Sequence, residues 1–187
     1  MAFDQKIAQA LGFPKAAYTQ VERERRWLSR PAPHELIERS ELITDLYVTG
    51  TRLRLREARL ADGSAARLRL SRKADIDART RLITSIYLPE DEFAVLAATL
   101  PGIRIVKRRH RLESPPGTLL SLDVFQGALA GLVLLEAEFT SDDLMTGFAA
   151  PDFALAEVTD DVRYGGGALA ADGLPADFYP GERPSAA

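Results

Sequence analysis

The sequence predicts a mainly β domain of the α+β class, an eight-stranded antiparallel closed barrel with helices packed outside. Three observations predict it. Charged residues recur at every second position in segment after segment, turn residues bound those segments, and 187 residues suffice for one domain with a sizeable core. Successive strand side chains point to opposite faces, so a two-residue beat lines one face. Arg52, Arg54 and Arg56 alternate with Leu53 and Leu55; Arg67, Arg69, Ser71 and Lys73 share a face with Leu68 and Leu70 behind. Lys107 and Arg109, Ser121 and Asp123, Glu136 and Glu138, and Glu22, Glu24 and Arg26 keep the same beat. For any one strand a solvated face is the simpler reading. Repetition in strand after strand points instead to a polar lumen, with the apolar faces outside and covered by helices. A lumen rich in cations and carboxylates suits a polyanion bound together with a divalent metal.

Residues 1–20 read as an appendage, a short amphipathic helix with Ile7, Ala8 and Leu11 before a Gly-Phe-Pro break. Strands are expected at 21–28, 44–49, 51–59, 65–73, 82–88, 103–110, 118–125 and 132–139. Asp62-Gly63 and Pro116-Gly117 are hairpin turn signals. Helices are expected at 34–40, at 90–99 after Pro89, and from Ser141, whose hydroxyl can cap the turn carrying Asp142 and Asp143. The stripe of Phe93, Leu96, Ala97 and Leu100 reads as core, and Trp27 as a core residue against a helix. His110 falls out of phase with Lys107 and Arg109 and reads as structural. Glu157 is expected in a helix-like tail, as a plug or an arginine partner. The segment with Gly165-Gly166-Gly167 reads as irregular, and the last eight or so residues as disordered. The barrel domain is expected to span 21–175, with a tail at 176–187.

The chain has no cysteine and two histidines, which excludes disulfides and thiolate sites and argues against a histidine-rich zinc centre. No apolar run reaches the roughly 18 residues of a membrane span, and the N-terminus lacks a signal-peptide pattern, so a cytoplasmic protein without membrane contact is expected. The net charge of −3 hides segregation: residues 52–111 hold 15 Lys+Arg against 7 Asp+Glu, and residues 112–187 hold 2 against 13. The acidic C-terminal part opposes binding to a nucleic-acid backbone. Arginine supplies 20 of the 24 basic residues, and its planar guanidinium grips phosphate oxygens in pairs.

Several blocks resemble a known family. Glu22-Arg-Glu-Arg-Arg26-Trp-Leu is similar to the N-terminal ExExK signature of CYTH domains, the triphosphate tunnel metalloenzymes. Arg52-Leu-Arg-Leu-Arg56 resembles the arginine strand, Leu70-Ser-Arg-Lys73 the strand ending in a phosphate-binding lysine, and Lys107-Arg-Arg109 the K-x-R strand. Leu122-Asp123-Val-Phe125, Glu136-Ala-Glu138-Phe and Glu157-Val-Thr159 resemble later blocks, in the family's order, from about Val21 to Ala170. The family includes inorganic triphosphatases, thiamine triphosphatases and class IV adenylate cyclases.

The resemblance implies a tunnel that holds a triphosphate, inorganic or organic, with Mg²⁺ or Mn²⁺ on carboxylates of the first and last strands. It implies metal roles for Glu22, Glu24, Glu136 and Glu138, with Asp123 either a further ligand or a brace for an arginine. Arg26, Arg54, Arg56, Lys73, Lys107 and Arg109 become phosphate ligands, and Arg52, Arg67 and Arg69 share that role or stand at the mouth. Glu22, Glu24 and Arg26 form the catalytic group. Three departures stand out: Arg26 replaces the usual lysine, Ile83 and Ser85 replace a usual pair of inward glutamates, and Tyr164-Gly165-Gly166 replaces Tyr-x-Asn. The expected activity is metal-dependent hydrolysis of a triphosphate, inorganic tripolyphosphate first. The alternatives are cyclisation of ATP and a non-catalytic polyphosphate sensor. Self-association into a homodimer is left open.

Overall fold

The computed structural model describes residues 4–60, 62–63 and 66–178. Nine strands form its sheet: β1 (Gln20–Ser29), β2 (Ile37–Val48), β3 (Leu53–Leu60), β4 (Ala66–Asp75), β5 (Thr80–Tyr87), β6 (Gly102–Leu112), β7 (Thr118–Phe125), β8 (Val133–Phe139) and β9 (Ala154–Glu157). Their order is β5-β4-β3-β2-β6-β7-β8-β1-β9, and β5 also pairs with β1. Every pairing is antiparallel, so eight strands close on themselves and β9 is an addition outside the ring. One edge of β1 is shared: Gln20–Arg23 pair with β5, and Trp27–Ser29 pair with β9. Closure removes the exposed edges that an open sheet would present.

The pleat sorts the chain. Register partners share a face, so Glu24 opposite Glu138, Arg26 opposite Glu136, Asp45 opposite Arg56 and Arg109 opposite Asp123 all project to one side. That side is the lumen. The other side is apolar and covered. Trp27, Leu112, Leu120, Leu122, Leu135 and Ala137 pack with Met145 of α3 (Asp142–Gly147), and Phe148 stacks against Trp27 at 5.7 Å. Trp27 is therefore core against a helix, and Ser141 caps α3 by accepting from the Leu144 amide at 3.3 Å. The helix α1 (Gln5–Ala10) also lies on the outside, where Ala8 and Phe13 pack on Ala74 and Leu82, and Arg72 covers the Phe13 ring at 4.7 Å.

The structure corrects four expectations. Residues 34–40 are not a helix: a single 3₁₀ turn at His34–Leu36 leads straight into β2, because residues from Ile37 on find partners along β6. The helix α2 (Glu90–Thr99) forms as expected, with three acids in its first turn, but Phe93, Leu96, Ala97 and Leu100 are only half-buried. It rests against β3 and β4, and Arg104 of β6 donates to its Ala97 carbonyl, while its remaining surface is exposed. Glu157 ends strand β9 rather than sitting in a helical tail. The triple-glycine segment is ordered: a 3₁₀ turn at Val162–Tyr164 precedes α4 (Gly166–Asp172). An added Cβ at Gly166 would lie 1.9 Å from the Tyr47 hydroxyl, so only glycine lets α4 come this close to the barrel. The anticipated disorder at the extreme C-terminus falls outside the described residues.

Leu169 and Ala170 of α4 pack with Tyr164, Leu28, Ile105, Phe125 and Leu134. Leu28, Ile105, Phe125 and Leu134 lie toward one end of β1, β6, β7 and β8, so α4 and Tyr164 form an apolar layer at that end, beneath the charged ones.

Candidate functional site

A cavity of about 1410 Å³ runs through the lumen, lined by eleven Lys/Arg and eight Asp/Glu side chains. The excess of cations makes it a place for an anion. It brings together Glu22, Glu24, Arg26, Arg52, Arg54, Arg56, Arg69, Lys73, Lys107, Arg109, Glu136 and Glu138. Arg52 sits in the bend ahead of β3 and is exposed, which puts it at the rim. Arg67 is half-exposed and reaches the buried carboxylate of Glu41. Ile83 and Ser85 do face the cavity, and the Ser85 hydroxyl is 2.8 Å from that of Ser71.

Two buried carboxylates hold the cations in pairs. Asp45 accepts both arms of the Arg56 fork at 2.6 Å and lies 3.6 Å from Arg54. Burial would raise its carboxyl, but Arg56 and Arg54 hold it well below the usual carboxylate range. Asp123 is the counterpart on β7, one strand beyond β6, the neighbour of β2. It is fully buried, lies behind the cavity lining, and accepts from Lys107 and from both arms of Arg109. Its surroundings are those of a brace, since both of its oxygens are already taken by cations.

Several guanidinium groups remain in want of an acceptor. Nε and Nη2 of Arg54 and Nε of Arg81 and Arg111 are buried without a hydrogen-bond partner among the described residues. The Arg69 side chain has no ion pair there either, and burial, with Arg56 and Arg54 close by, pushes its pKa down to about 10. An unsatisfied buried donor is unfavourable by about 1–3 kcal/mol, more when charged, and a phosphate oxygen would relieve it.

Asp45, Arg81 and Arg111 are lumen residues that the sequence pattern did not single out. Arg81 and Arg111 fall one residue outside the expected strands 82–88 and 103–110, and Asp45, inside 44–49, has only Tyr47 and Thr49 in step with it and so shows no charged alternation. With the strands at full length, Arg81 falls in step with Ile83, and Arg111 with Arg109. Arg81 approaches Glu22 and Glu24 at 3.8 Å and Asp75 at 3.1 Å.

Most of the acids are occupied. Glu22 accepts from Lys73 at 2.6 Å, Glu24 from Arg26 at 2.5 Å, and Glu136 from Arg109. Arg26 is fixed further by its Nη1 donating to the Tyr164 carbonyl at 3.1 Å. Burial would raise Glu22, but Lys73, then Arg81 and Arg54, hold it at about 2 instead of 4.5. Such a group contributes stability above its unfolded pKa and loses it as pH falls toward the folded value. The melting temperature should therefore drop between about pH 4.5 and about pH 2, and Glu22→Gln should flatten that slope; an identical slope in the variant would contradict the ion pair.

Glu138 differs. It makes no hydrogen bond or ion pair among the described residues, and burial, with Glu22 and then Glu24 nearby, pushes its carboxyl up. Among the described residues no three of His, Cys, Asp and Glu are gathered as a ready metal site. The donor chemistry nevertheless fits a hard divalent cation: four glutamates bring only oxygen ligands to one lumen, and neither oxygen of Glu138 has a hydrogen-bond or ion-pair partner among the described residues.

Other residues singled out from the sequence lie elsewhere. Glu157 pairs with Arg25 outside the ring, through 2.9 and 2.6 Å contacts. The His110 Nδ1 is 2.7 Å from the Ser40 hydroxyl, out of phase with the lumen residues. No described helix is long and apolar enough to cross a membrane.

The structure is thus a closed antiparallel barrel whose lumen gathers acids and an excess of cations. Comparison with known proteins agrees with this fold. The chain is 40% identical over 85 residues to an inorganic triphosphatase of Nitrosomonas europaea, a match covering 46% of this chain and 56% of that protein. The match thus spans little more than half of that relative's length. Among solved structures, the inorganic triphosphatase NE1496 superposes with a TM-score of 0.54 and 29% identity, over 80% of this chain and 93% of that one. The PH1819 protein from Pyrococcus horikoshii shares the fold, with a TM-score of 0.53 and 21% identity over 67% of this chain and 82% of that one. No protein-family model matches the chain.

Proposed function

We propose that this protein is a divalent-metal-dependent triphosphatase that hydrolyses inorganic tripolyphosphate to orthophosphate and diphosphate in the barrel lumen. The observation that carries the proposal is the set of buried guanidinium nitrogens on Arg54 and Arg111 that have no hydrogen-bond partner among the described residues, inside a cation-rich cavity. The 40% identity to an inorganic triphosphatase supports the same substrate.

Arg54, Arg56, Arg69 and Lys73 from β3 and β4, and Lys107, Arg109 and Arg111 from β6, clamp the phosphate chain, with Arg52 at the rim. Asp45 and Asp123 aim these cations and keep their charges from repelling one another. Water attacks the terminal phosphorus in line, the P–O–P bond breaks, and diphosphate departs with the bonding electrons. Its oxygen becomes anionic on leaving, and the fixed guanidinium groups stabilise that charge without reorganising. Glu22, Glu24, Glu136 and Glu138 would hold Mg²⁺ or Mn²⁺, which when bound neutralises phosphate charge and polarises the reacting oxygens. Arg26, tied to Glu24 and to the Tyr164 carbonyl, stands where it can orient both acid and phosphate. The reaction would take place in the cytoplasm.

A second reading, a non-catalytic polyphosphate sensor, draws on Ile83 and Ser85, which place no carboxylate on that stretch of lumen. One experiment separates the readings: phosphate release from tripolyphosphate and from ATP, with Mg²⁺, with Mn²⁺ and with chelator, scoring cyclic AMP in the ATP arm. Metal-dependent orthophosphate from tripolyphosphate is expected. Tight binding without turnover under either metal would select the sensor, and cyclic AMP would select a cyclase.

A further inference from the structure

Every proposed metal ligand except Glu138 is held by a cation of the lumen: Glu22 by Lys73, Glu24 by Arg26, and Glu136 by Arg109. Arg81 adds a diffuse second charge 3.8 Å from both Glu22 and Glu24. These pairs lie inside the barrel wall, with side-chain exposure of 24% for Lys73 and 15% for Glu22, so they escape most of the screening that weakens surface pairs. The same pairing is consistent with the absence of a gathered acid site among the described residues.

We propose that Lys73 and Arg26 are placeholder counterions, and that metal and triphosphate, bound as in the function proposed above, release each other's ligands. Metal on Glu22 and Glu24 requires that Lys73 and Arg26 let go. Those cations are then free to take phosphate oxygens. Triphosphate arriving first draws Lys73 and Arg26 away and frees the carboxylates. The ion pairs need to be broken only once for the two ligands, so each strengthens the binding of the other, equally in both directions by linkage. This coupling resides in the chain, and it adds to the attraction that metal and triphosphate have for each other in solution.

The consequence is a reversal of sign within single variants. Lys73→Met removes a phosphate ligand but frees Glu22, so it should weaken tripolyphosphate binding while tightening Mn²⁺ binding to the ligand-free protein. Glu22→Gln frees Lys73, so it should weaken Mn²⁺ binding while tightening tripolyphosphate binding in chelator. Each gain should be at least about fivefold, the lower end of ordinary coupling between sites. Titration calorimetry on the full chain, with MnCl₂ alone and separately with sodium tripolyphosphate in chelator, measures both, and the Mn²⁺ electron paramagnetic resonance signal checks the metal arm. Melting curves verify that each variant is folded; Arg26→Met, which frees Glu24, substitutes for Lys73→Met if that variant is not. Absence of either gain, with the wild-type protein still binding both ligands, overturns the placeholder role alone. A wild-type protein that binds neither tripolyphosphate nor Mn²⁺ overturns the functional proposal, and this one with it.

Discussion

Glu138→Gln should reduce metal-dependent phosphate release by about 10²–10³-fold, the size of effect seen when a charge-stabilising group is removed from a reaction centre. The same substitution should raise the melting temperature of the metal-free protein at neutral pH. Burial and the neighbouring Glu22 and Glu24 push the Glu138 carboxyl up, so the folded state favours the protonated form. Its ionisation therefore detracts from stability as pH rises above the ordinary carboxylate value, and a neutral isostere removes that penalty. Activity and stability thus move in opposite directions, which a merely structural glutamate would not produce. Phosphate-release kinetics and metal-free melting curves at pH 7.5 on one preparation check both. Wild-type turnover in the variant would remove Glu138 from the metal set.

Asp123→Ala should destabilise the fold by about 3–5 kcal/mol, because it leaves Lys107 and Arg109 buried without their shared counter-charge. In a domain of this size, that lowers the melting temperature by roughly 6–20 °C. The comparison is Asp160→Ala, which breaks the exposed pair with Arg79 and should shift stability by less than about 1 kcal/mol. Thermal melts of the two variants at equal ionic strength suffice. Equal, small shifts would mean that Asp123 is not the buried brace described above. Since Asp123 accepts from both Lys107 and Arg109, Asp123→Asn should weaken both contacts while preserving shape, and a smaller loss is expected.

Much of the lumen was legible before any coordinates. Alternation alone assigned Arg54, Arg56, Arg69, Lys73, Lys107, Arg109, Glu22, Glu24, Glu136 and Glu138 to one face of their strands, because the pleat has a fixed period of two. The same rule put Trp27 outside and His110 out of phase. Elements set by distant partners were harder to read. Residues 37–43 carry a pattern compatible with either helix or strand, and the pairing of Ile37 with Leu112 and Ile43 with Lys107 decides for strand. The apolar stripe on α2 looks like core by period alone, yet the barrel leaves it half-covered.

By itself, then, the sequence determined the class of fold, the strand phases and the sign of charge on each lumen wall, since these depend on local pleat geometry and on composition. Only the tertiary structure decided which charges meet. Asp45 belongs with Arg56, Glu22 with Lys73 and Arg26 with the Tyr164 carbonyl, contacts between residues 11, 51 and 138 positions apart. Closure of the ring and the docking of α4 bring them together. Interstrand register and barrel closure are long-range properties, and no local periodicity encodes them.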